Sequence, residues 1–266
     1  MKLKIMTFNV LNGWNTVNIG VRDDLAASVV LQELPDVIGF QEFDTCYRLA
    51  ENPLSKLISE YYEEAGVSHT TWNPIFYNRD KLSLIEFNEE FFKNGTVYEY
   101  PLGGHSGFRS VCYAWFEEKE SGKRFLLLNL HYDYNSKDQR LAIENQRNES
   151  EQVINLANYL LQKTGTRTIF VTGDYNSKIN GMACLKMLQN GFVDTHALAK
   201  ERDDTGSYAI LGTPLGGNYA DAAIDHVFYM GDDGLTVNKY LTVDSIRDAS
   251  DHSPVLVTVE ISQGHR

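Results

Sequence analysis

Six short polar clusters punctuate this 266-residue chain, each close to the end of an apolar run: Asn9, Gln41-Glu42, His131-Tyr132-Asp133, Asp174-Tyr175-Asn176, Asp225-His226 and Asp251-His252. Carboxylates, amides and imidazoles are the side chains that hold a hard cation, align a water and move a proton. Mg²⁺ takes oxygen ligands in octahedral geometry and keeps part of its water shell. One carboxylate such as Glu42 and one amide oxygen such as Asn9 therefore suffice to hold it while phosphate oxygens complete the shell. Asp174 can accept a proton from an attacking water, or orient it, and the Asn176 amide can hold that nucleophile or a phosphate oxygen. A cation, two histidines and an amide would meet the charge that develops at phosphorus without a basic surface.

Each cluster also has a plain structural reading. Asn9 could stabilise the turn at Asn12-Gly13, Asp174 and Asn176 could form an Asx turn, and Asp251-His252-Ser253-Pro254 could be a loop before the last strand. His131 could be a satisfied structural histidine, and His226 is read as a packing residue. His69, His105, His196 and His265 have no evident partners and are assigned to structure. Among the tryptophans, Trp72 and Trp115 fit a core or a groove, and Trp14, in the loop after Asn9, is placed to meet a substrate. Joint occurrence at strand ends favours a shared site, because strand ends deliver side chains to one rim with little freedom.

The elements that must position these groups can be read from periodicity. Lys2 to Val10 alternates polar and apolar residues and predicts a first strand. A helix is expected from about 22 to 33, opened by Asp23-Asp24 and stopped by Pro35, and a buried strand over Asp36 to Glu42. A second helix is expected over Pro53 to Glu64, then strands at 75–77, 82–92, 110–117 and 124–131. Val153, Leu156, Ala157 and Leu160 recur at helical spacing and predict a long helix from about 138 to 162. Strands follow at 168–172, 223–229 and 255–261, and Gly206 to Gly217 is loop-like. No repeat or linker divides the chain, so a single domain over 1–266 is expected. Strands joined both by hairpins and by helices imply mixed sheets with helices outside, and two such sheets packed face to face would bury this many apolar strands.

The formal charge of −12 disfavours broad electrostatic binding to long nucleic acid. A compact phosphate ester held through a divalent cation escapes that objection. Cys46, Cys112 and Cys184 are few and far apart, without a Cys-x-x-Cys pair, and suit a reduced compartment. The N-terminal residues carry no apolar run of signal-peptide length and no membrane-spanning segment appears, so a cytoplasmic location is expected. Nothing singles out a protein partner.

The chain resembles the endonuclease/exonuclease/phosphatase superfamily, the group of pancreatic deoxyribonuclease, abasic-site endonucleases, deadenylases, inositol 5-phosphatases and neutral sphingomyelinases. The resemblance runs in family order through Thr7-Phe8-Asn9-Val10, Asp36 to Glu42, Asn129 to Asp133, Gly173 to Asn176, Ile224-Asp225-His226 and Ser250-Asp251-His252-Ser253-Pro254. It implies a four-layer α/β sandwich and hydrolysis of a phosphate ester with Mg²⁺, or Mn²⁺ as substitute, as one or two ions. It further implies Glu42 as principal metal ligand with Asn9, and Asp251 as a metal-facing carboxylate. Asp225 would pair with His252 at the scissile phosphate, His131 would stabilise the pentacovalent phosphorus or help protonate the leaving oxygen, and Arg109 would assist phosphate binding.

The substrate class is less constrained. The Gly173-Asp174-Tyr175-Asn176-Ser177 stretch lacks the arginine usual in inositol 5-phosphatases, abasic-site endonucleases place tyrosine where His131 stands, and neutral sphingomyelinases are commonly exported. The segment Gly206 to Asp221 departs from the Thr-Phe-x-Gly style motif of many relatives and could shape a specificity pocket. A phosphodiester or phosphomonoester in a small or short substrate is expected first. Nuclease action on DNA or RNA, including short nucleic acid, comes second, and a catalytically silent binding module is the reading from another class.

Overall fold

The computed structural model describes residues 1–13, 19–49, 51–66, 72–93, 97–98, 107–134, 137–231, 234–243 and 248–262. In chain order the first half comprises β1 (Lys2–Asn9), α1 (Ile19–Glu33), β2 (Val37–Gln41), α2 (Pro53–Tyr61), β3 (Tyr62–Glu64), β4 (Ile75–Asn78) and β5 (Leu82–Phe91). There follow β6 (Val97–Tyr98), β7 (Gly107–Phe108), β8 (Ser110–Glu118), β9 (Arg124–His131), α3 (Gln139–Thr164) and β10 (Thr168–Asp174). The remainder is α4 (Met182–Gln189), β11 (Val193–Asp194), α5 (Thr195–Leu198), β12 (Glu201–Arg202), α6 (Tyr219–Ala222), β13 (Asp225–Gly231), β14 (Leu235–Thr242) and β15 (Val255–Ile261).

Two mixed sheets form the centre, one ordered β12-β14-β15-β1-β2-β4-β3 and the other β11-β13-β10-β9-β8-β5. Three apolar clusters correspond to the three interfaces of a four-layer sandwich. Leu3, Ile5, Val37, Leu127, Phe170, Val227 and Val257 pack between the sheets. Met6, Phe8, Ile38 and Phe40 pack with Ala26 and Val30 of α1 and Leu54 and Ile58 of α2. Leu126, Leu128, Ile169 and Val171 pack with Val153, Ala157 and Leu160 of α3 and Met187 of α4. Strand period two thus sends alternate residues into different interfaces, and both faces of the central strands are buried.

The row facing the partner sheet changes character along each strand. It runs Leu3, Ile5, Thr7, Asn9 on β1, Phe125, Leu127, Asn129, His131 on β9, and Phe170, Thr172, Asp174 on β10: apolar first, hydroxyl or amide next, ionisable at the end. In the polar middle, Gln41 Nε2 donates to Asn129 Oδ1 at 2.7 Å, Thr172 Oγ1 donates to the same oxygen, and Asn129 Nδ2 donates to Phe40 O. Gly39 makes room for this clamp, since a Cβ there would lie 2.3 Å from Asn129 Oδ1. Gln41 and Asn129 therefore lock the sheets together beneath the ionisable ends.

Local chemistry explains most element ends. Asn52 caps α2 by accepting from Leu54 N and Ser55 N, with Pro53 in the first turn, and Gly165 ends α3 at φ 66 in the left-handed region. Two expectations need correction. Asp23-Asp24 does not open α1, which already runs from Ile19, and Asp23 is buried within it. The expected helix over Pro53 to Glu64 ends at Tyr61, because Tyr62–Glu64 turn extended and pair with β4. The sequence reading also did not resolve α4 or β14. No described helix is long and apolar enough to cross a membrane.

Candidate active site

Register brings three of the polar clusters side by side. Asp174 closes β10 opposite His131 of the parallel β9 and opposite Asp225, which opens the antiparallel β13. Asn9 closes β1 beside Gln41, so Glu42 follows immediately at the same rim. The segment before β15 is drawn in by Ser250, whose Oγ donates to Asn9 O at 2.7 Å, and His252 N donates back to Ser250 Oγ.

These groups converge on one atom, Asp174 Oδ2. Asn9 Nδ2 donates to it at 3.0 Å, His131 Nε2 lies 3.3 Å away and His252 Nε2 3.7 Å away. The other oxygen, Oδ1, accepts Asn176 N at 2.8 Å, and Asn176 Nδ2 donates to Tyr132 O. His252 Nδ1 pairs with Asp225 Oδ2 at 2.8 Å, and Ser207 Oγ donates to that same carboxylate oxygen at 2.6 Å. The pairing of Asp225 with His252 expected from the resemblance is thus the geometry observed, and it fixes which ring nitrogen turns to Asp174. Ligand atoms of Asp174, Asp225 and His252 lie within 4.8 Å of one another, close enough to share a metal ion, although Nδ1 of His252 is already committed to Asp225.

Burial sets the charges. Desolvation pushes the Asp174 carboxyl up, to about 7, with Asp225 adding to the rise and His252 opposing it. At His252 burial resists protonation, but the Asp225 and Asp174 carboxylates prevail and raise it to about 10. Burial drives His131 well below its ordinary range, and the charges of Arg109 and then His252 add to this. At neutral pH the site therefore combines an imidazolium paired with Asp225, a neutral imidazole at His131, and an Asp174 carboxyl balanced between its two protonation states. Arg109, just ahead of β8, is near enough to act on His131 through its charge.

On the other side of Asn9, Glu42 leaves β2 in the left-handed region at φ 58. Its Oε1 accepts from Asn9 Nδ2 at 3.4 Å and its Oε2 from Asn12 N at 3.0 Å, with a further short contact from Asn12 Nδ2. Burial raises Asp251, and after the opposing effect of His252 the charge of Glu42 raises it further. Two carboxylates repelling each other at an open rim, among amide oxygens, suit a hard divalent cation. Glu42 and Asp251 would hold it. Asn9 presents Nδ2 to Glu42 and to Asp174, and its Oδ1 accepts from Leu11 N at 3.0 Å, so ligation through its oxygen requires the amide to turn over. Of the four non-glycine residues at positive φ among the described residues, Leu11, Glu42 and Asn176 lie here and only Leu34 elsewhere.

His226 points to the opposite face, pairing with Ser177 O at 2.9 Å and with Tyr219 at 3.0 Å, in keeping with its packing assignment. His196 is likewise buried, stacked on Tyr219. Trp14, His69, His105 and His265 lie outside the described residues. The sequence reading missed a supporting shell. Asn145 and Gln146 of α3 donate to Asp133, Gln146 also to Asn176 O, and Glu149 accepts Asp133 N. A usable signal was present, since the Val153-Ala157-Leu160 stripe continued toward the N-terminus passes through polar Glu149 and Gln146. Ser207 was also missed, whereas Tyr208 belongs to the segment expected to shape a specificity pocket. Both lie in the Gly206 to Asp221 segment, which is tied to the segment before β15 by Ser253 N to Ser207 O and Ala209 N to Asp251 O. The half-exposed Tyr208 ring meets His252 edge-on at 5.1 Å.

The comparisons with known proteins bear on the family and the fold. Residues 6–252 match the model of the Endonuclease/Exonuclease/phosphatase family. An endonuclease/exonuclease/phosphatase from Bacteroides vulgatus is similar in structure, with TM-score 0.77 and 21% identity over 98% of this chain and 100% of that one. The mannosyl-6-phosphatase of Bacteroides thetaiotaomicron gives 0.74 and 21% over 97% and 99%. D. rerio TDP2 complexed with single-strand DNA product gives 0.69 and 16% over 97% and 99%. A search of curated proteins gives no match. With the six polar clusters gathered at the rim of two packed sheets and the family model spanning all but the ends, the chain belongs to the endonuclease/exonuclease/phosphatase family of phosphoester hydrolases.

Proposed function

We propose that this protein hydrolyses a phosphodiester or phosphomonoester bond in a small or short substrate, with Mg²⁺ held at Glu42 and Asp251 and Mn²⁺ able to replace it, as one or two ions. The observation that supports it is the convergence on Asp174 Oδ2 of an amide from β1 and two imidazoles, one from β9 and one from the loop before β15. Water attacks phosphorus, its proton passes to the Asp174 carboxylate, and the P–O bond to the leaving group breaks. The His252 imidazolium, oriented by Asp225, faces the phosphate charge, and the Asn176 amide steadies the nucleophile or a phosphate oxygen. The neutral His131 hydrogen-bonds the pentacovalent phosphoryl group. Arg109 assists phosphate binding through its charge. When bound, the cation supplies Lewis acidity and charge neutralisation at the phosphoryl oxygens.

A net charge of −12 favours a compact ester over a long polyanion, and a mannosyl-6-phosphatase of the same fold is in line with that. Nuclease action is the second reading, favoured by the fold shared with a TDP2 that was captured with a DNA product. The test is hydrolysis of bis-p-nitrophenyl phosphate, sugar phosphates, nucleotides, inositol phosphates and labelled oligonucleotides with Mg²⁺ or Mn²⁺, beside Asp174→Ala and His252→Ala. Turnover of a small ester that both substitutions abolish is the expected result. No turnover of any substrate with either cation would overturn the reading, and turnover of oligonucleotides alone would replace it with the second.

A further inference from the structure

Asn12 was read from sequence as half of an Asn-Gly turn, and its side chain in the fold does not behave as a turn residue. An Asx turn uses the side-chain oxygen to accept a main-chain N–H two residues on. Here Asn12 instead donates twice to one oxygen of Glu42, from its main-chain N and from Nδ2. Its Oδ1 is buried and has no hydrogen-bond partner among the described residues, in a residue only 7% exposed. Leaving such an acceptor unpaired costs about 1–3 kcal/mol. Turning the amide over would not help, because it would bring Oδ1 against the Glu42 carboxylate.

Residues 10–13, which carry Asn12, are held by several hydrogen bonds. Gly13 N donates to Asp44 Oδ2 at 2.8 Å, Leu11 N to Asn9 Oδ1, and the buried Arg22 clamps Val10 O at 2.7 Å and Leu11 O at 2.6 Å. Asn12 therefore pins Oε2 of Glu42 from a rigid base, while Oε1 keeps only the long 3.4 Å contact to Asn9. We propose that Asn12 is a positioning residue for the divalent cation, holding the Glu42 carboxylate by one oxygen so that the other faces the ion, and receiving at Oδ1 a hydrogen bond from a water of the ion's hydration shell. Mg²⁺ and Mn²⁺ retain such waters when few side chains bind them. The proposal rests on the cation reading of the Glu42 side.

The test is calorimetric titration of the full chain with Mn²⁺ alone, for the wild type, Asn12→Ala, Asn12→Leu, Asn12→Ser and Glu42→Ala. Expected is a 10–100-fold weaker Kd for Asn12→Ala and Asn12→Leu, the range found when a partner of a metal ligand is lost. Asn12→Ser, whose hydroxyl can donate to Oε2, should recover about half of that loss on a logarithmic scale. Turnover of the Asn12→Ala and Asn12→Leu variants should need correspondingly more Mn²⁺ to reach half its maximum. Equal Kd values for wild type and folded Asn12 variants would overturn the proposal, as would unfolding of Ala and Leu variants together, which would make Asn12 structural. A wild type that binds no Mn²⁺ would instead remove the cation reading itself.

Discussion

The two halves of the rim are built by different means. On the seven-stranded sheet, Glu42 and Asp251 stand half-open, with Asn12 holding one oxygen of Glu42 and a long contact from Asn9 reaching the other, and are backed by further acids, Asp23 and Asp44. On the six-stranded sheet, Asp174, Asp225 and His131 are fully buried and each is fixed by neighbours within the protein. Behind them Asn145, Gln146 and Glu149 of α3 hold Asp133, Gln146 also holds Asn176, and Ser207 holds Asp225. An open acidic half leaves room for an ion with its waters, whereas a dry half preorganises proton transfer. His252 joins them, since it hangs from the loop before β15 of the first sheet and pairs with Asp225 of the second.

That contrast can be broken by separating binding from turnover. Asp174→Ala should lower kcat by a factor on the order of 10³–10⁴ while Mn²⁺ affinity stays within a few-fold of wild type. A comparable loss of cation binding, measured by calorimetry, would mean the halves are one. Glu42→Ala should do the converse, weakening Mn²⁺ binding by about 100-fold or more with part of the turnover restored at high Mn²⁺.

Asp225→Asn sharpens the dry half. His252 stays cationic well above its ordinary range because of Asp225 and Asp174. If turnover needs the imidazolium, activity falls as pH rises through that raised value. Removing the Asp225 charge should move this alkaline limb down by about one pH unit or more, as loss of a close opposite charge does. An alkaline limb that does not move would separate His252 from the rate.

The smallest effect tests the acidic backing of the open half. Burial raises Asp23 from 3.8 to about 6, against the opposing effects of Asn52 and Arg22. The folded state thus holds a proton that the unfolded state has released, so stability is gained as pH falls through 6 and lost as it rises. Asp23→Asn keeps the bond from Asn52, whose Nδ2 lies 2.6 Å from Asp23 Oδ2. It should raise stability at pH 8 by about 1 kcal/mol, or about 2–4 °C in Tm, with no gain at pH 4. Equal gains at both pH values would show that charge is not the cause.

The strand order of the polar clusters and the long helix under Val153 and Leu160 were legible in the sequence, because period two and period 3.6 mark which residues are buried and where burial ends. The family was legible too, from six motifs that keep their order along the chain. Tertiary structure alone decided which polar residues meet at Asp174 and which lie elsewhere. Gln41 and Asn129 became a clamp between sheets, His226 turned outward while its neighbour Asp225 turned inward, and Tyr62–Glu64 left a helix for a strand. Asn12 changed from turn residue to partner of Glu42. The physical reason is that a side chain's partners are set by register and sheet packing, which join residues more than a hundred positions apart, such as Asn9 and Asp174. Local sequence fixes the direction of a side chain along its own element, and the neighbour it meets belongs to another.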